Sequence, residues 1–266
     1  MNYKEISKKR AVDETTVLAI MNQKGGVGKS TTAVNLAAAL GEKEYKVLVV
    51  DFDPQGNTTS GLGVDKSTIK ESIYDAILSD VTVDEIVRET ASQRVYVLPA
   101  TIQLAGAEVE LVSAIAREMR LKDALEPIKS EFDYIFIDCP PSLGILTINA
   151  LTACDALLVP IQCEFYALEG VTKLLESMKM VKSRLNPRLD VYGVLMTMYD
   201  SRTSLSKQVA EEVRSFFGEK VFTTMIPRNV RLSEAPSYGM PIIEYDKTSK
   251  GATAYRNLAD EVIARG

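Results

Sequence analysis

The sequence predicts an α/β fold: a doubly wound, mostly parallel sheet with helices on both faces. Three observations carry that expectation. Short β-branched runs alternate with helix-patterned stretches along the chain. Several of those runs are apolar on successive residues, as expected of parallel strands covered on both sides. A glycine-rich, phosphate-binding pattern also lies between the first strand and the first helix.

Taken in order, the strand Val17–Met21 is apolar throughout, and the helix Ser30–Leu40 follows the glycines. Lys46–Val50 is the second strand, and Ser72–Leu78 reads as a helix. Val95–Leu98 is a strand, followed by a helix over Gly106–Arg117. The strand Tyr134–Asp138 ends in an acid and leads to the helix Leu143–Ala153. Ala156–Pro160 and the long helix Leu168–Leu185 come next, then the strand Val191–Thr197 and the helix Ser204–Phe217. A strand over Val221–Ile226 and a closing helix over Ala252–Ala264 complete the chain. No repeat or Pro/Gly-rich linker divides this pattern, so residues 17–266 are expected as one domain, preceded by a flexible tail over 1–16.

Composition narrows the function. The chain has 266 residues and no histidine, which removes most zinc sites, any histidine-based triad and any imidazole base. Cys139, Cys154 and Cys163 form no metal-ligand spacing and read as buried thiols in a reducing cytoplasm. The N-terminus is polar and basic, unlike a signal peptide, and no apolar run approaches the roughly 20 residues of a membrane span. The expected location is therefore cytoplasmic, with no membrane partner. The formal charge of −5 hides an asymmetry: Lys173 to Arg231 carries 11 Lys/Arg against 6 Asp/Glu, while the remainder is strongly acidic. One basic face on an acidic protein is the footprint of polyanion binding confined to one surface.

In open α/β sheets ligands sit beyond the carboxyl ends of the strands, and the chemically loaded segments fall there. Gly25, Gly26 and Gly28 permit a tight loop whose N–H groups turn inward, and the following helix adds its N-terminal dipole. Lys24, Gly25, Gly26, Val27, Gly28, Lys29, Ser30 and Thr31 are the expected ATP-binding set. Lys29 supplies an ammonium for the β/γ-phosphates, and Ser30 a hydroxyl for Mg²⁺. The usual pattern would begin with glycine at position 23, where this chain has Gln23, with Lys24 beside it. After the second strand, Asp51 and Asp53 bracket a turn, and a carboxylate is the natural group to orient an attacking water where no histidine exists. Asp51 sits nearer the strand and the Mg²⁺ shell. Phe136-Ile137-Asp138-Cys139-Pro140-Pro141 places Asp138 to hold Mg²⁺ through water.

The run Lys24-Gly25-Gly26-Val27-Gly28-Lys29-Ser30 resembles the deviant Walker A box of the ParA/MinD/nitrogenase-reductase group of P-loop ATPases. Over nearly the whole chain from Val17, the sequence resembles ParA/Soj chromosome- and plasmid-partition ATPases. That resemblance rests on DFDPQGN at 51–57, DCPPSLGILTINAL at 138–151, LMTMYD at 195–200 and IPRNVRLSEAPSYGMP at 226–241. It implies that Lys24 acts across a dimer interface on the partner's phosphates, and that Asp53 positions water, so Lys24, Lys29 and Asp53 form the catalytic set. It further implies that Pro227 and Asn229 pack on adenine, with Arg228 nearby. Non-specific DNA contacts are placed on Arg202 and Arg231, with Lys207, Arg214 and Lys182 weaker candidates. The implied partners are a second copy of the chain when ATP is bound, double-stranded DNA of any sequence, and a ParB-type centromere-binding protein; the implied cofactors are ATP and Mg²⁺, and the implied setting the nucleoid. A MinD-like protein should end in an amphipathic membrane helix, which Tyr255–Gly266 does not resemble. No cysteine falls in the cluster-ligand segments of the reductases. A ParA-like positioning ATPase for a non-DNA cargo is the alternative left open.

Overall fold

The computed structural model describes residues 3–11, 14–165 and 167–266. Seven strands form one sheet: β1 (Thr16–Ile20), β2 (Val47–Asp51), β3 (Arg88–Glu89), β4 (Val95–Leu98), β5 (Tyr134–Asp138), β6 (Ala156–Gln162) and β7 (Asp190–Thr197). Their order is β3-β4-β2-β5-β1-β6-β7, parallel throughout except for β3, which pairs antiparallel with β4 at the edge. The central strands are buried along their whole length because successive residues enter two different cores. In β1, Val17 and Ala19 join one cluster while Leu18 and Ile20 join the other. That double coverage explains the unbroken apolar runs in the sequence.

One face carries α1 (Lys29–Glu42), α2 (Asn57–Gly61), α10 (Val230–Glu234), α11 (Ile242–Tyr245) and α12 (Lys250–Ala264). The other carries α3 (Ile73–Leu78), α4 (Val83–Ile86), α5 (Leu104–Glu110), α6 (Arg120–Lys129), α7 (Ile145–Ala153), α8 (Glu169–Arg184) and α9 (Ser204–Phe217).

Two expected elements differ. Val221–Ile226 is no strand: it touches β7 through a single bridge, Val194 to Val221, and through the Phe222 and Ile226 amides. Between those contacts the Thr223 and Thr224 amides donate to the Glu261 carboxylate of α12 instead of a ladder. The helix expected over Gly106–Arg117 begins at Leu104 and stops at Glu110. A 3-10 turn (Leu111–Ser113) follows, and Ala116 has a left-handed φ of 52°, which no helix accommodates.

Residues 3–11, read above as part of a flexible tail, lie against the base of the sheet; residues 1, 2, 12 and 13 of that tail fall outside the described residues. Tyr3 is buried, stacks on Phe132 and meets Tyr96 edge-on. Asp133 accepts the Lys9, Arg10 and Lys46 amides, and the buried Lys46 ammonium donates to the Ile6 carbonyl at 2.7 Å.

Candidate nucleotide and magnesium site

Three loops at the carboxyl ends of β1, β2 and β5 build one crevice. Gly26 and Gly28 have φ of 74° and 89°, the left-handed backbone that a side chain would strain. Gly28 is also the residue preceding α1 and offers no side-chain cap, so the first-turn N–H groups of that helix remain for an anion. The loop is latched from two sides. The Thr197 hydroxyl at the end of β7 donates to the Val27 carbonyl at 2.8 Å. Buried Asn22 donates to the Pro160 carbonyl and accepts the Lys24 amide.

The main crevice holds about 600 Å³ and is lined by Gly25, Gly26, Gly28, Lys29, Ser30, Thr31, Asp53, Gln55 and Pro141, among others. Lys29 is buried, its ammonium 3.4 Å from the Lys24 carbonyl. Lys24 is half-buried and absent from this lining, as is buried Val27. A side cavity of about 480 Å³ shares Gly28, Thr31, Met198 and Pro236 with the crevice and adds Pro227, Arg228, Asn229 and Tyr255. Pro227 and Asn229 are therefore brought beside the phosphate loop. The Asn229 side chain also caps α10, its Oδ1 accepting the Arg231 amide at 2.8 Å.

Asp51 and Asp138 are register partners on adjacent strands, both fully buried. Burial, then the neighbouring Asp138, pushes the Asp51 carboxyl up to about 7. Burial likewise raises Asp138 to about 6, while the nearby Ser30 hydroxyl and the hydrogen bond from Thr58 pull it back. Two consecutive threonines at the start of α2 hold the pair. Thr58 donates to Asp138 Oδ2 at 2.7 Å, and Thr59 donates to Asp51 Oδ2 through both its amide and its hydroxyl. Asp138 Oδ1 is buried with no hydrogen-bond partner. A buried acceptor left open beside the Ser30 hydroxyl is the hard-oxygen donor set that Mg²⁺ prefers. Asp51 Oδ2 is held by Thr59, while its Oδ1 accepts only the Asp53 amide at 3.4 Å. Asp53 lines the crevice and accepts the Gln55 amide, so the loop turns on this residue.

Sequence reasoning did not identify Thr58, Thr59, Asn22 or Thr197. Their partners lie as far as 170 residues away, and no local pattern marks them. The leading basic candidates, Arg202 and Arg231, lie apart from the crevice lining and are already paired, as is Arg228 in the lining of the side cavity. Arg202 clasps Asp200 through two hydrogen bonds, at 2.9 and 2.7 Å. Arg231 bonds Glu234 and lies 3.7 Å from Asp246, and Arg228 bonds Glu164. Lys207 is exposed, and Arg214 reaches the Met225 sulfur.

Comparison with known proteins gives consistent results. A family model described as an AAA domain matches residues 15–191. The sporulation initiation inhibitor protein Soj of Bacillus subtilis is 57% identical over 250 residues, covering 94% of this chain and 99% of that protein. The chromosome partitioning protein ParA of Myxococcus xanthus is 53% identical over 249 residues, covering 94% and 88%. Among solved structures, cobyrinic acid a,c-diamide synthase of Mycobacterium smegmatis with bound ADP and magnesium has a TM-score of 0.82 at 41% identity, covering 94% of both chains.

Proposed function

The chain belongs to the Soj/ParA chromosome-partitioning ATPases of the AAA-domain family, and from that premise we propose that it is an ATP-timed DNA-partition switch. ATP and Mg²⁺ fill the crevice, and two copies close on each other with Lys24 of each reaching the partner's phosphates. The dimer binds DNA without regard to sequence at the nucleoid, and hydrolysis stimulated by a ParB-type protein separates it.

The observation that carries this reading is the position of Lys24. It belongs to the phosphate loop in sequence, yet lies outside the lining of its own crevice, which a second lysine, Lys29, already serves. ADP and magnesium in the Mycobacterium structure support the same ligands here. Ser30 and Asp138 would hold the Mg²⁺, which neutralises phosphate charge when bound. Lys29 and the first-turn amides of α1 cradle the phosphates. Asp53 orients the attacking water, and Thr58 fixes the Asp138 carboxylate so that its open oxygen faces the site.

The test is binding of a random-sequence duplex as a function of salt, with no nucleotide, ADP or ATP. The reading expects tight, strongly salt-dependent binding with ATP alone. Equal affinity with ADP and ATP would remove the timer. The ion pairs on Arg202 and Arg231 favour a second reading, a positioning ATPase for a non-DNA cargo, which predicts ATP-dependent dimers that bind no DNA at any salt.

A further inference from the structure

The loop that carries Asp53 into α2 is anchored unequally on its two sides. On the inner side the anchors are buried. Thr58 bonds Asp138, and the Thr59 hydroxyl both donates to Asp51 and accepts the Ala100 amide at 3.0 Å, which ties α2 to the segment after β4. On the outer side, the Gln55 carbonyl has one donor among the described residues. It is the Lys66 ammonium, at 2.9 Å.

That bond completes the restraint of a single peptide unit. In the Gln55–Gly56 peptide, the Gly56 amide donates to the Asp53 carbonyl at 2.9 Å, and the opposite end is the carbonyl that Lys66 holds. Gly56 has a left-handed φ of 62° and no Cβ, so this unit would rotate readily if its carbonyl were released. Rotation would break the bond to the Asp53 carbonyl and loosen the turn whose Gln55 amide rests on Asp53 Oδ1.

The lysine is well placed for this restraint. A Cβ on Gly56 would stand 2.9 Å from Lys66 Cδ and 3.0 Å from the Ala100 carbonyl, so the lysine stem and the backbone after β4 both crowd Gly56. The Lys66 backbone is itself fixed in a 3-10 turn (Lys66–Thr68), where the preceding Asp65 accepts the Ser67 amide and hydroxyl at 2.9 and 2.8 Å. Lys66 is exposed and absent from the crevice lining, so neither burial nor a place in the crevice accounts for its position.

We propose that Lys66 is a positioning residue for ATP hydrolysis, holding the Gln55–Gly56 peptide so that Asp53 faces the attacking water. It acts through Asp53 and rests on the role read for Asp53 above.

Wild type is compared with Lys66→Met, which keeps the stem and loses the donor, and with Lys66→Arg, which keeps a donor. Single-turnover hydrolysis, with Mg²⁺ and with enzyme in excess over ATP, should slow by about tenfold or more in Lys66→Met, the scale of a displaced reacting group. Affinity for a fluorescent, non-hydrolysable ATP analogue and the melting temperature should stay at wild-type values. Lys66→Arg should hydrolyse close to the wild-type rate. Asp53→Ala is the control for the underlying role: if it hydrolyses as fast as wild type, the reading of Asp53 fails and this proposal with it. If Asp53→Ala is slow while Lys66→Met is as fast as wild type or faster, the positioning role alone is overturned. Loss of ATP affinity or of melting temperature in step with the rate, or failure of Lys66→Arg to recover it, would also overturn it, making Lys66 a nucleotide ligand or a prop of the fold.

Discussion

At the scale of single residues, the site depends on two carboxylates that share a buried position. Asp51 titrates near 7 and Asp138 near 6 because burial opposes their charge, well above the ordinary carboxylate value of 3.8. An acid with a raised native pKa binds its proton more tightly folded than unfolded. Its stabilising effect is full below about pH 4 and is lost as pH rises towards 7. The nucleotide-free protein should therefore melt at a lower temperature at pH 8 than at pH 5. Asp51→Asn, which can still accept from Thr59, should flatten that profile; an unchanged slope in scanning fluorimetry would mean the pair does not share a proton. Lys29→Ala tests a different link. Removing the crevice ammonium should lower affinity for ATP by at least about tenfold while leaving the melting temperature of the free protein near wild type. Retained ATP affinity would mean the phosphates lie elsewhere.

At the scale of elements, the parts legible in the sequence were those whose causes are local. The phosphate loop is a contiguous run in which Gly26 and Gly28, though not Gly25, take positive φ, and β1, β2 and β5 are apolar because both faces are covered. What could not be read depends on distant partners. Val221–Ile226 has strand composition, but Glu261, 37 and 38 residues on, takes its central amides. Helix α6 was not anticipated, and Pro127 within it breaks the usual helix signature, although Leu121, Leu125 and Ile128 align on its buried face. The N-terminal segment looked polar, yet Tyr3 completes an aromatic cluster with Phe132 and Tyr96, and Lys46 is buried beneath it. Tyr3→Ala should cost about 2–4 kcal/mol in urea unfolding, as for loss of a buried aromatic. Because Lys46 and Phe132 precede β2 and β5, at the opposite ends from the crevice, ATP affinity should not move. A stability loss below about 0.5 kcal/mol would mean the segment only rests on the surface.

At the scale of the whole molecule, the balance of charge decides whether a net acidic chain can hold DNA. The segment from Lys173 to Arg231 is basic by count, but count is not potential: Arg202, Arg228 and Arg231 each lie against a carboxylate that cancels their field at a distance. Such exposed pairs contribute only about 0–1 kcal/mol to stability, so a phosphate can displace the carboxylate at small cost. Two copies of a modest patch in one dimer would then gain affinity through effective concentration rather than through strong single contacts. Glu234→Gln removes the hydrogen-bonded carboxylate from Arg231 without touching the crevice. With ATP present, it should tighten binding to a random-sequence duplex and steepen the dependence of log affinity on log salt by up to about one unit per copy, the signature of an added phosphate contact. Arg231→Ala should do the reverse, with ATP-dependent dimerisation unchanged. If Glu234→Gln leaves both affinity and slope at wild-type values while Arg231→Ala is also silent, Arg231 makes no phosphate contact, and the DNA face lies on other cations of the segment.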